Sequence, residues 1–219
     1  MYLLIDIGNS TVVAAIANDN GEILTTWRFD TIKDQTPDYF IDNLMSGLCA
    51  YGIEPSNIEK TAISSVVPEI NGRFVDAVHR ITRVVPRFFS ITDAERLLDI
   101  DVDFPEQVGK DRLADAIAAA ECYGSPTIVI DMGTATTVGI VTAERKFVGG
   151  MIIPGVKTSH RALCERASQL SEIDKWEAGS IVATGGMSSV IVPYCKHEII
   201  VDKHLLLKGI YHAVIAVNK

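Results

Sequence analysis

Asp6-Ile7-Gly8-Asn9-Ser10-Thr11, close to the start of the chain, has the composition of a turn that handles phosphate. Gly8 lets the backbone approach an anion, and Asn9, Ser10 and Thr11 supply hydrogen-bond donors. A carboxylate repels phosphate, so Asp6 suits such a turn only through a hydrated Mg2+. The same residues also read as ordinary hairpin chemistry, because Asp, Gly and Asn are favoured in tight turns. A second copy weighs against that plain reading. Asp131-Met132-Gly133-Thr134-Ala135-Thr136-Thr137 repeats the Asp–x–Gly frame with three threonines behind it. Asp6 and Asp131, Gly8 and Gly133, and Thr11 and Thr136 each stand 125 residues apart. Gly109-Lys110-Asp111-Arg112 forms a third constellation, just ahead of an Ala-rich stretch. A carboxylate at a helix start can act as general base towards a hydroxyl, and an Arg beside it can pair with a substrate carboxylate. Asp111 equally reads as a helix N-cap.

Weaker signals surround these three. Gly185 and Gly186, in Ala183-Thr184-Gly185-Gly186, follow an apolar stretch at 180–183 and would let the backbone approach a flat ring such as adenine, or simply make a tight turn. His160 falls on an expected helix over 157–170 and reads as a surface residue rather than a ligand. Residues 93–106 are acidic and read as a solvated loop, while Ser64 and Ser65 read as a strand terminus.

The elements that must position these groups follow from hydrophobic patterning. Residues 2–17 read as two strands broken by the first turn, and Asn18-Asp19-Asn20-Gly21 signals a second turn before a strand over 22–29. Apolar spacing predicts helices over 38–52, 70–81 and 112–123, and strands over 61–67 and 83–91. At Ile128 the strand–turn–strand pattern of the start returns, and residues 146–153 play the part of 22–29. A repeat of this length is too long for a solenoid period and points instead to two similar lobes. Facing turns would leave a ligand cleft between them.

Composition narrows the class further. The chain has 219 residues, 47% of them apolar and 22% charged, within the range of globular proteins and far from disordered ones. Its net charge of −8 argues against a nucleic-acid partner and against docking on an anionic membrane. No apolar run approaches the ~18 residues of a membrane span, and Asp6 interrupts the only apolar stretch that could resemble a leader. Cys49, Cys122, Cys164 and Cys195 are widely separated and form no CxxC, so they read as plain thiols of a cytoplasmic protein.

Taken in order, DIGNS at Asp6, SSVVP at Ser64, GKDR at Gly109, DMGTATT at Asp131, GGMIIPG at Gly149 and ATGG at Ala183 resemble the type III pantothenate kinase family. The likeness continues through residues 205–210 to Asn218. The resemblance implies an α/β fold of two related actin-like (ribonuclease H-like) lobes around a nucleotide cleft, here residues 1–111 and 112–219. It implies ATP-dependent phosphorylation of pantothenate to 4'-phosphopantothenate, the first step of coenzyme A biosynthesis, by a cytoplasmic homodimer. Asp111 would be the catalytic base, and Gly109, Lys110 and Arg112 would hold pantothenate. Asp6, Gly8, Asn9, Ser10 and Thr11 would serve the phosphates together with Gly133, Thr134, Thr136 and Thr137, and Gly185 and Gly186 would lie beside the adenine. Asp6 would organise Mg2+, and Asp131 would sit by a monovalent cation (K+ or NH4+).

The chain departs from the family pattern twice. Val102 stands where the family usually has a Tyr, seven residues before the Gly of the GxDR motif. Only residues 171–179 span a stretch in which the family carries several tens of residues, among them a Gly- and Thr-containing substrate-side motif. A lobe without that layer would expose a large apolar sheet face, so the expectation is that the intact chain is longer here. The alternatives to the kinase are a nucleotide-binding regulatory accessory factor and a sugar-type kinase or phosphatase of the same superfold. An intact GKDR favours the enzyme, since a pure binding protein has no use for a base beside a substrate Arg.

Overall fold

A computed structural model describes residues 1–156, 158–159, 179–195 and 197–216 of the chain. Strand β1 (Tyr2–Ile7) is apolar on both faces apart from Asp6. Side chains alternate across a strand. Leu3, Ile5 and Ile7 therefore enter one apolar cluster with Phe40, Leu44 and Phe74, while Tyr2 and Leu4 enter another with Leu113, Ile117 and Ile210. By the same period Asp6 falls on the Leu4 face. Strands β2 (Thr11–Ala17) and β3 (Ile23–Asp30) extend the sheet antiparallel on one side of β1, and β4 (Lys60–Ser65) and β5 (Arg87–Phe88) extend it parallel on the other. The order is β3-β2-β1-β4-β5. Helices α1 (Pro37–Ala50) and α2 (Asn71–Thr82) cover the Leu3 face.

Two expectations fail between β5 and the Ala-rich helix. The strand expected over 83–91 shrinks to Arg87–Phe88 because Ser90 starts a new helical turn, α3 (Ile91–Ala94). Ser90 and Asp93 form a reciprocal capping box, which satisfies backbone donors at the turn and ends the strand. The stretch 93–106 is not simply a solvated loop. Asp93 is buried, pairs with Arg87, and lies 3.7 Å from Arg96. Strand β6 (Asp99–Ile100) then joins the second sheet, parallel to a strand from the far half of the chain.

Helix α4 (Lys110–Tyr123) follows, and its residues 113–120 are all buried. The second sheet repeats the first: β7 (Thr127–Met132), β8 (Ala135–Val141) and β9 (Lys146–Pro154) form the antiparallel part, and β10 (Ser180–Thr184) and β11 (Ile200–Val201) the parallel part. Its order, β11-β10-β7-β8-β9-β6, is that of the first sheet with β6 added at one edge. Two short helices, α5 (Ser188–Ile191) and α6 (Leu205–Ile210), also belong to this half, and α6 runs on into a buried π-helical stretch, Tyr211–Ile215. Of the expected helix over 157–170 only Thr158 and Ser159 are among the described residues; its remainder, with His160 and Cys164, and positions 171–178 of the link over 171–179 lie outside them.

Helix α4 touches both halves. Leu113, Ala116 and Ile117 share a cluster with Tyr2 and Leu4 of β1, and Ala118 and Ala119 share one with Val129 of β7. A helix enclosed on several sides needs small residues, which accounts for its run of alanines. The closest approach is at α6, where a Cβ on Gly209 would lie 1.7 Å from the Ala114 carbonyl oxygen. Gly209→Ala must push α6 off α4. It is expected to destabilise the protein by about 1–3 kcal/mol, the usual cost of overpacking. Urea denaturation of the variant against wild type reads this directly, and an unchanged midpoint would mean that α4 and α6 are not in backbone contact.

Candidate active site

Strand periodicity aims both repeated aspartates at α4. Asp6 follows Leu4 on the face that packs against the Leu113 and Ile117 cluster, and Asp131 follows Val129 on the face that meets Ala118 and Ala119. Asp111 projects from the first turn of α4 itself. The three carboxylates line one cleft of about 480 Å3, whose walls are the two Asp–x–Gly turns. Gly8, Asn9, Ser10 and Thr11 line it on one side, and Gly133, Thr134 and Thr137 on the other, with Gly186 also at its edge. The two turns therefore face each other, as the repeat implies.

The repeat is imperfect in a way that matters. In the first turn the Gly8 N–H donates to the Thr11 carbonyl at 3.1 Å, whereas in the second the Gly133 N–H donates to the Ala135 carbonyl at 3.0 Å. The second turn is one residue shorter. Thr11 therefore corresponds in space to Ala135, not to Thr136, despite the 125-residue spacing. A one-residue slip sends a strand side chain to the opposite face. Thr136 is accordingly buried away from the cleft, in a separate groove with Met132, Ile153 and Ile191.

The first turn is braced from β3: Thr31 Oγ1 donates to the Gly8 carbonyl at 2.7 Å and its N–H to the Ser10 carbonyl at 3.1 Å. Asn9 and Ser10 remain exposed and free to meet a ligand. The two glycines after β10 divide their tasks. Gly185 has φ +89°, and a Cβ there would come within 2.5 Å of Asp131 Oδ1, so this turn closes over the Asp131 carboxylate. Gly186 has open space where its side chain would be.

Asp111 is not the N-cap. That position belongs to Gly109, and Asp111 lies inside the first turn, its Oδ1 accepting the Arg112 N–H at 2.9 Å. Gly109 makes room for this carboxylate: a Cβ on it would sit 2.3 Å from Asp111 Oδ1. Arg112 points elsewhere. Its guanidinium donates to the Val138 carbonyl at 3.1 Å and lies 5.8 Å from the Phe147 ring centre, while its Nε is buried without a partner. Gly109, Lys110, Arg112 and Gly185 do not line the cleft. Val102 packs against the cluster that contains Phe147, close to Gly149, so the residue replacing the family's Tyr stands on the Arg112 side.

Sequence reasoning missed Asp115 and Arg28. Asp115 follows Asp111 by one helical turn, is buried, and has an unpartnered Oδ1. Its i, i+4 spacing from Asp111 was the available signal. Arg28 lines the cleft from β3.

The electrostatics are those of crowded acids. No salt bridge among the described residues involves Asp6, Asp111, Asp115 or Asp131. Burial pushes Asp6 from the ordinary 3.8 up to about 7, with Asp111 and then Asp131 adding to the effect. Burial, and then the charge of Asp111, raise Asp131 to about 6. Burial raises Asp115 well above the carboxylate range, helped by Asp131, Asp111, Asp6 and Asp202. Among the described residues no three acidic, His or Cys side chains converge as a ready-made metal cage. Mg2+ needs no such cage, since it keeps several waters and is held by one or two carboxylates together with substrate phosphates.

Two like lobes around an acid-lined cleft define the class: an actin-like α/β fold. Solved structures agree. A Baf-family protein from Campylobacter jejuni superposes with TM-score 0.58 at 18% identity, covering 99% of this chain and 98% of that one. The activator of 2-hydroxyisocaproyl-CoA dehydratase from Clostridium difficile, with bound ADPNP, gives 0.57 at 11% identity, covering 98% and 93%. The polyphosphate/ATP-glucomannokinase of an Arthrobacter strain gives 0.51 at 13%, covering 100% and 99%. At such identities these likenesses concern the fold alone.

Sequence comparison goes further. The profile of the family described as type III pantothenate kinase matches residues 2–191. The type III pantothenate kinase of Desulforapulum autotrophicum is 38% identical over 176 residues, 80% of this chain and 66% of its own length. That of Halalkalibacterium halodurans is 33% identical over 190 residues, 87% of this chain and 74% of its own. The chain belongs to the type III pantothenate kinase family, a family of kinases. Its match spans about two thirds to three quarters of these relatives' length. No helix among the described residues is long and apolar enough to cross a membrane.

The raised carboxyls make a signed prediction. A group that holds its proton more tightly when folded stabilises the fold at low pH and loses that contribution as pH rises through its folded pKa. With Asp131 at about 6 and Asp6 at about 7, against the ordinary 3.8 of both, the cation-free protein should lose thermal stability between about pH 4 and 7. Asp6→Asn, which cannot ionise, should show a shallower fall in melting curves recorded in chelator. Equal slopes for the two proteins would contradict the crowding of carboxylates.

Proposed function

We propose that this chain transfers the γ-phosphoryl group of ATP to the primary hydroxyl of pantothenate. Family membership supports this reading. The single observation that carries it is the convergence of Asp6, Asp111 and Asp131 on one cleft walled by two Asp–x–Gly turns. Asp111, at the head of a helix and freed from a capping role, accepts or orients the hydroxyl proton. Asn9, Ser10, Thr11 and Thr134 offer donors to phosphate oxygens, and Gly186 leaves room for the adenine ring. Arg112, with its unpartnered Nε, pairs with the pantothenate carboxylate on the Phe147 side. Gly109 and Lys110 belong to that same side. Catalysis of this kind is positioning and charge stabilisation rather than covalent chemistry.

The donor set fits the family's cations: hard carboxylate oxygens, desolvated and without a cationic partner. Asp6 would hold Mg2+, and Asp131 the monovalent cation, K+ or NH4+. When bound, these ions supply positive charge beside the polyphosphate. As in the family, the working unit is taken to be a cytoplasmic homodimer. Sedimentation at micromolar concentration tests the assembly, and a monomer alone would reject it.

Steady-state phosphorylation of pantothenate with ATP, Mg2+ and K+ tests the residue roles. Asp111→Asn should lower kcat by roughly 10²–10⁴-fold, the range for losing a positioned general base, with nucleotide binding retained. The amide keeps the size of the side chain and can still accept the Arg112 N–H, so wild-type turnover would remove Asp111 from the base role. Arg112→Ala should instead raise KM for pantothenate by about tenfold or more through loss of a charge-assisted pair. An unchanged KM would place the substrate carboxylate elsewhere.

A further inference from the structure

Arg28 is given no role by the family motifs, yet its position is tightly specified. Across the first sheet Asp6 pairs with Val13 and Val13 with Arg28, so the three occupy one row of neighbouring strands. All three line the cleft. Arg28 is the one Lys or Arg among the described lining residues, against three aspartates. It is exposed and takes part in no ion pair among the described residues. The matching row of the second sheet, Asp131–Thr137–Ile152, carries no cation at all.

We propose that Arg28 anchors the polyphosphate of the bound nucleotide, on the side of the first Asp–x–Gly turn. The inference rests on the kinase reading above. A nucleoside triphosphate brings several negative charges into a cleft that already holds three carboxylates, and hydrated Mg2+ offsets only part of them. A guanidinium stays charged at all working pH values, and its planar fork matches two phosphate oxygens at once. Arg112 cannot serve here, because it is committed to Val138 and the Phe147 ring outside the cleft. The two arginines thus divide two anions, the nucleotide phosphates and the acceptor's carboxylate.

Calorimetric titration of the full chain with ATP, ADP and adenosine, in Mg2+, provides the test. Arg28→Ala should weaken ATP and ADP by roughly 10–100-fold, the worth of a charged hydrogen-bonded pair, and leave adenosine unchanged. Arg28→Lys should recover part of the loss. KM for pantothenate should stay at the wild-type value in both. Equal ATP affinity in wild type and Arg28→Ala would overturn the assignment, as would equal losses for ATP and adenosine, which would mark a merely structural residue. A raised KM for pantothenate with ATP binding intact would overturn it in favour of an acceptor-side role. If wild type itself binds no ATP, the kinase reading fails instead.

Discussion

Carboxylates repel one another, and this protein gathers Asp6, Asp111, Asp115 and Asp131 around one helix with no ion pair to any of them among the described residues. Left ionised, such a cluster opposes folding, and protonation is the cheaper state, as the raised positions of Asp6, Asp115 and Asp131 indicate. Positive charge entering the cleft would offset that repulsion; on the proposed reading the cations of a nucleotide site supply it, and the stability of the site would depend on them. Its polar groups are held in place by the surrounding apolar clusters rather than by each other.

Helix α4 is what makes that holding possible. Its alanines allow both sheets and α6 to approach at close range, with Gly209 against the Ala114 carbonyl as the tightest point. The first turn of the same helix carries Asp111 between the two Asp–x–Gly turns. Small errors in the packing of α4 would therefore appear as errors in the position of Asp111. Reaction rates are sensitive to misplacements of about 1 Å, so a stiff, densely packed support is a functional requirement.

Much of this was legible in the residues, and the failures have physical causes. The duplicated Asp–x–Gly frame announced two lobes and a shared cleft, because a strand ending in Asp and Gly folds the same way twice. Thr136 misled because equal spacing along a chain does not ensure equal register, and a turn shorter by one residue turned its side chain to the other face. Ser90 and Asp93 hid a helix start inside an expected strand and loop, since only the reciprocal capping box reveals it. Asp115 was readable from its spacing to Asp111. Arg28 was not: its place beside Asp6 depends on the pairing of β2 with both β1 and β3, which no local pattern records.

The two halves share a topology but have parted in chemistry. The first sheet has the longer turn, braced by Thr31, and the only cation in the row beside its aspartate. The second has the shorter turn, and its aspartate is covered by Gly185. On the proposed reading, the exposed donors and the cation of the first half would serve phosphate, and the second half's aspartate, under the Gly185 turn, would serve an ion. All of these residues, from Asp6 to Gly186, fall within the span 2–191 that the family profile matches. Although the chain matches only about two thirds to three quarters of its relatives' length, the cleft-forming core belongs to the portion it shares with them. Val102, the departure that the resemblance singles out, packs against the Phe147 cluster on the Arg112 side and does not line the cleft.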